Sequence, residues 1–256
     1  MSLSIAAPLP QAATLIGRMA ALLPPLVLSI GLAIAAPQAD AATRGSGTVA
    51  TETRNAADFD GIAISGSMTL EVRQASREAV SISADDNVLP LIETVVEGRT
   101  LKVRMKKGES VSTRTPIKVS VDVVKLGAVA SSGAGDIRID GLKTPLLKFS
   151  VAGSGDAALK ALQADALEVS IAGSGNVRGD GMARQVKLSI AGSGDAMLTD
   201  LVADDVTVSI AGSGDAKVTA NKSLSATVAG SGDVKYRGNA ATVRSSVMGS
   251  GTIRKE

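Results

Sequence analysis

The chain has 256 residues, with 27 Lys and Arg against 25 Asp and Glu, a balance too even to point to nucleic acid as a partner. It contains neither cysteine nor histidine, which excludes disulfides, thiolate zinc sites, a lipid-modified cysteine, Ser-His-Asp triads and thiol nucleophiles. Hydrophobic residues make up 45% but aromatic residues only 1%, so the core must be thin and built from Ala, Val, Ile, Leu and Met.

The first segment stands apart from the rest of the chain. A single charge, Arg18, precedes the apolar run "MAALLPPLVLSIGLAIAA" at 19–36, and Ala39-Asp40-Ala41 fits a small-x-small cleavage site. Residues 1–41 therefore read as a signal peptide cleaved near Ala41. A retained anchor is the competing reading, because the run nearly reaches spanning length; the paired Pro24 and Pro25 favour removal. Cleavage takes one Arg and one Asp, leaves the net charge at +2, and leaves no membrane span. The expected location is the bacterial periplasm, the outer-membrane surface or the outside.

Residues 45–126 are strand-like without clear repeats. "GIAISGSMTLEVRQ", "AVSISAD", "TLKVRMKK" and "IKVSVDVV" each alternate apolar with polar residues, the period of a strand with one buried face. "DNVLPLIETVVEG" holds one helical turn around Pro90, and "KKGESVSTRT" reads as a loop. This region is expected to supply the first, irregular coils and to shield the open N-terminal edge of the repeats beyond it.

Residues 127–256 repeat. "FSVAGSGDA", "VSIAGSGNV", "LSIAGSGDA", "VSIAGSGDA" and "ATVAGSGDV" succeed one another, with weaker echoes "GAGDI" before and "GSGTI" after. The leading glycines are Gly133, Gly153, Gly173, Gly192, Gly212, Gly230 and Gly249, in steps of 18 to 20 residues. Each unit reads as strand, glycine-rich corner, short strand and variable corner, with no helical period. Such a unit cannot bury its apolar face alone but does so by stacking, at about 4.8 Å per coil. The expected fold is an all-β parallel β-helix, a solenoid of coils roughly 20 residues long. Like residues should then form ladders: Ser150, Ser170, Ser189, Ser209 and Thr227 in one, Val151, Ile171, Ile190, Ile210 and Val228 in another.

The corners explain the motif. Gly153, Gly155, Gly173, Gly175, Gly192, Gly194, Gly212, Gly214, Gly230, Gly232, Gly249 and Gly251 supply positive φ and leave no Cβ to strike the neighbouring coil. The Asp or Asn after them suits an Asx-type turn. A weaker reading stacks Asp136, Asp156, Asp195, Asp215 and Asp233 as an oxygen-rich Ca²⁺ site. Against it, one Asp per coil, interrupted by Asn176 and ending at Thr252, gives few ligands. The expectation is no cofactor, with Ca²⁺ as the one candidate.

Together, the "AGSGD" corners, the upstream "FDGIAISGSMTLEV" and the closing "GSGDVKYRGNAATVRSSVMGSGTIRKE" resemble the bacterial DUF2807 family, the auto-transporter adhesin head GIN domain, over roughly residues 45–254. The resemblance implies a β-helical domain exported to the envelope, with no catalytic residues to carry over. One departure is that only a few residues come after Gly249, too few for a C-terminal membrane barrel.

Function is less legible. Arg178-Gly179-Asp180 is the tripeptide that integrins read, yet in a chain with 27 glycines it reads first as an ordinary loop. The expectation is a non-enzymatic adhesin-like module, its ladders offered to a polysaccharide or another envelope component. The alternative is a carbohydrate-active β-helix enzyme working through paired carboxylates. Uniform ladders favour the first, because a catalytic site normally breaks a repeat locally.

Overall fold

The computed structural model describes residues 42–256. The signal-peptide reading of 1–41 lies outside the described residues. Among the described residues no helix is long and apolar enough to cross a membrane.

Nine strands precede the repeats: β1 (Thr43–Arg44), β2 (Val49–Arg54), β3 (Gly61–Gly66), β4 (Thr69–Gln74), β5 (Ala79–Asp85), β6 (Ile92–Glu97), β7 (Thr100–Met105), β8 (Val111–Ser112) and β9 (Lys118–Val123). A single 3-10 turn at Leu89–Leu91 carries Pro90, as the sequence suggests. The repeats begin with β10 (Ala128–Gly133), β11 (Ile137–Asp140) and β12 (Lys143–Gly153). Long strands come next, β13 (Ala157–Gly173), β14 (Val177–Gly192), β15 (Ala196–Gly212) and β16 (Ala216–Gly230), then β17 (Val234–Arg237), β18 (Thr242–Gly249) and β19 (Ile253–Lys255). All but β1 and β8 belong to one 17-stranded sheet wound into a β-solenoid of about six turns.

Stacking is parallel and in register through the repeats. Ser150 pairs with Ser170, Ser170 with Ser189, Ser189 with Ser209 and Ser209 with Thr227, and the neighbouring Val and Ile ladder keeps the same step. Alternation along each strand sends every second residue inward. The columns Leu147–Leu167–Val186–Val206–Leu224 and Val151–Ile171–Ile190–Ile210–Val228 are at most 3% exposed. Ala157, Val177, Ala196, Ala216 and Val234 stack on the strands just past the corner, so one wall is made of small side chains. That wall is why so few aromatic residues suffice to fill the core.

The N-terminal region enters the stack in an order that sequence periodicity does not give. The coil carrying β3 and β4 lies between two others: β10 and β11 pair on one side of it, β7 and β9 on the other. The later segment 100–123 therefore sits beneath the earlier segment 61–74. Antiparallel strands close this end, β6 against β7, β5 against β9 and β2 against β5. The β6–β7 hairpin turns on Gly98 and Arg99, with φ of +55° and +65°, the signs a two-residue type I′ turn requires. The expected loop at 106–115 contains β8, which pairs in parallel with β1.

Candidate ligand-facing surfaces

At the corners the two glycines of each motif share one reason to be glycine, and the first has a second reason of its own. The first of each pair, Gly153 through Gly249, has φ between +123° and +137°. The second, as at Gly214, has no positive φ; a Cβ there would overlap the carbonyl oxygen of Gly194 in the coil below. Close stacking thus requires glycine at both positions, since a Cβ on Gly212 would likewise overlap the carbonyl oxygen of Gly192, and the first of each pair needs glycine's conformational freedom as well.

The Asp column is a hydrogen-bond ladder between coils rather than a set of turns closed on themselves. Oδ1 of Asp136 accepts the backbone N–H of Asp156 at 3.2 Å, and Asp156 accepts that of Asn176 at 3.1 Å. Asn176 passes the pattern to Asp195 at 3.1 Å, then Asp195 to Asp215 and Asp215 to Asp233, both at 2.9 Å. Asp233 accepts both the N–H and the hydroxyl of Thr252. That hydroxyl, more than any other group, holds its carboxyl below the ordinary carboxylate range. An amide oxygen serves as well as a carboxylate here, which is why Asn176 does not interrupt the column. Among the described residues no three acidic groups gather where a metal ion could be held.

Asp180 has a similar task. Its Oδ1 accepts the N–H of Ala161 at 2.6 Å, pinning a corner where Ala161 has φ of +50°. The carboxylate of the Arg-Gly-Asp triplet is thus already engaged within the fold, while Arg178 is exposed.

Sequence reasoning missed Asp85. It is 1% exposed, and its Oδ2 accepts the Thr113 hydroxyl at 2.6 Å, while Oδ1 has no partner among the described residues. The Thr113 bond, first among several, holds the carboxyl below its usual range. Asp85 lines a pocket of about 590 Å³ between the stretches 42–47 and 112–115. Its only sequence trace is Gly45, where a Cβ would overlap the carboxylate.

Outward positions on the longer strands carry the Ser ladder. Among the described residues the hydroxyls of Ser150, Ser170, Ser189, Ser209 and Thr227 make no side-chain hydrogen bond within the protein, unlike Ser132, which donates to Ser65. A shallow trough of about 490 Å³ runs over Ala63, Ala130, Ser150, Ser170 and Ser189, with Lys148, Glu168 and Lys187 beside it. A second groove, about 650 Å³, has a floor of Ala164, Ala183 and Ala203 and a wall bearing Met182 and Val202, 61% and 43% exposed.

This architecture defines a class, a parallel β-solenoid with hydrogen-bonded Asp corners and an outward-facing Ser/Thr ladder whose hydroxyls have no partner among the described residues. The chain belongs to the DUF2807 family, described as "Putative auto-transporter adhesin, head GIN domain", whose model matches residues 58–240. Solved structures are similar to it. A protein of Bacteroides fragilis described as a putative adhesin has TM-score 0.80 and 27% identity, covering 84% of this chain and 100% of its own. One of Parabacteroides distasonis, described as a putative lipid binding protein, has TM-score 0.68 and 29% identity, with 84% and 100% covered. Another putative adhesin, of Parabacteroides merdae, has TM-score 0.67 and 26% identity, with 84% and 98% covered. No curated protein matches the sequence.

Proposed function

We propose that this protein is a non-enzymatic, exported adhesin-like module of the bacterial envelope that binds an extended polysaccharide along its Ser/Thr face. The observation that carries this reading is the row of unengaged hydroxyls, repeated at about 4.8 Å per coil on a stiff sheet. Each hydroxyl donates and accepts, so a chain of repeating sugars meets the same chemistry at every step. Family membership supports the adhesin character, and the apolar leader supports export. The absence of His and Cys from the whole sequence, with the corner carboxylates committed to backbone N–H groups, supports a binding role over catalysis.

A second reading concerns the alanine-floored groove. Its exposed Met182 and Val202, together with the relative described as a putative lipid binding protein, support an acyl chain as a further ligand.

The test incubates the purified protein with bacterial and host polysaccharides and tracks both retention and polymer length. Retention without shortening, lost when Ser170 and Ser189 are replaced by Asp, is the expected result. Shortened polymers would replace the binding module with an enzyme. A fluorescent fatty acid displaced by Met182→Glu would favour the groove instead.

A further inference from the structure

Among the described residues, the last coil leaves the inward columns uncovered. Val243 and Val247 continue the columns of Leu224 and Val228. They stand 42% and 39% exposed, against 1% and 0% for the residues they sit on. All eight residues of β18 are exposed, Met248 among them at 64%. Among the described residues β18 pairs only with β16, and β19 only with β17. Each therefore presents a row of N–H and C=O groups with no partner strand, and such a row is a template for another strand. The other end of the stack is finished differently, by antiparallel strands laid across its edges.

Charge decides what fits. Arg244, Arg254 and Lys255 belong to this coil and form no ion pair among the described residues. Its one acid, Glu256, is held by Arg237 at 3.0 Å. In the coil below, Asp233 already accepts two hydrogen bonds from Thr252. A second copy meeting this end edge to edge would bring the three cations against three more, and like charges across paired strands are unfavourable. An acidic strand meets attraction in the same place.

We propose that the β18–β19 edge is a docking site for an extended acidic polypeptide strand from another protein. The strand joins the sheet through backbone hydrogen bonds. Its inward apolar side chains cover Val243 and Val247, and its outward carboxylates face Arg244 and Arg254. The same cations reject self-pairing and select the partner.

The test uses the purified protein and short labelled peptides, read by fluorescence anisotropy. One alternates Glu with Val, one alternates Lys with Val, and one is the Glu/Val peptide N-methylated at alternate residues so that one edge cannot hydrogen-bond. The Glu/Val peptide should bind about tenfold or more tighter than the Lys/Val peptide, with an affinity that falls as salt rises. N-methylation should abolish binding, as should Val247→Lys. Arg254→Glu combined with Lys255→Glu should invert the charge preference; Arg244→Glu gives an independent variant, and unchanged melting temperatures verify that each folds. The proposal is overturned if the Glu/Val peptide does not bind, if N-methylation leaves binding intact, or if sedimentation shows a dimer that Val247→Lys dissolves. In that last case the occupant is a second copy.

Discussion

At Gly194 a Cβ would overlap the carbonyl oxygen of Gly175 and press on the Ile171 side chain, both in the coil below. Neither neighbour can give way, because the backbone is fixed by the ladder and Ile171 by the core. Gly194→Val should therefore cost about 2–3 kcal/mol, seen as a lowered denaturation midpoint. Gly47 is the control. It has φ of +83° with nothing within 4 Å of a built Cβ, so Gly47→Ala should cost only about 1–2 kcal/mol from backbone strain. Equal costs would show that stacking does not fix the second glycine. From the sequence the need for glycine at both corner positions was readable, since the spacing alone implies coils in contact. That only the first of each pair also needs positive φ was not, because φ and close approach leave the same residue behind.

At the scale of elements, each long strand owes its place to the coils on both sides rather than to its own propensity. Ile190, 1% exposed near the C-terminal end of β14, sits in a wall it shares with Ile171 and Ile210. Ile190→Ala should cost about 2–4 kcal/mol through lost burial and a residual cavity. Val247→Ala, at the equivalent position of β18, should change stability by less than about 1 kcal/mol, because that site is already wet. Comparable losses at both would mean that something covers β18 in solution. Alternation and the ladder register were legible in the repeats. The Ala161 corner was not, since a non-glycine residue with positive φ depends on the distant Asp180 carboxylate to hold it.

For the whole molecule, Asp85 and Asp233 are two of three lowered carboxyls among the described residues, the third being the exposed Glu97 bonded to Lys102. Asp85, paired with Val49 across β2 and β5, holds the Thr113 hydroxyl through its carboxylate, and Asp233 ties the last coil to the one below. Both have folded values below the ordinary 3.8. A group depressed in the folded state stabilises fully above its unfolded value, and that contribution fades as pH falls through the folded value. The melting temperature should thus hold steady from about pH 7 to 5 and drop below about pH 4. Asp85→Asn should melt lower at neutral pH and show a shallower acid decline, tracked by circular dichroism. An unchanged acid slope would remove Asp85 from this account.

The repeat, the parallel solenoid, the ladders and the family are all written in the order of residues. Those features are local and periodic: alternation sets which face is buried, and a fixed coil length sets what stacks on what. Folding in three dimensions was needed to place the coil 61–74 between 100–123 and 128–140, because that order depends on which open edge each returning strand pairs with. The same holds for the Asp side chains, which reach the next coil rather than their own turn, and for the burial of Asp85. Those outcomes rest on contacts between residues far apart in the chain, where no period leaves a mark.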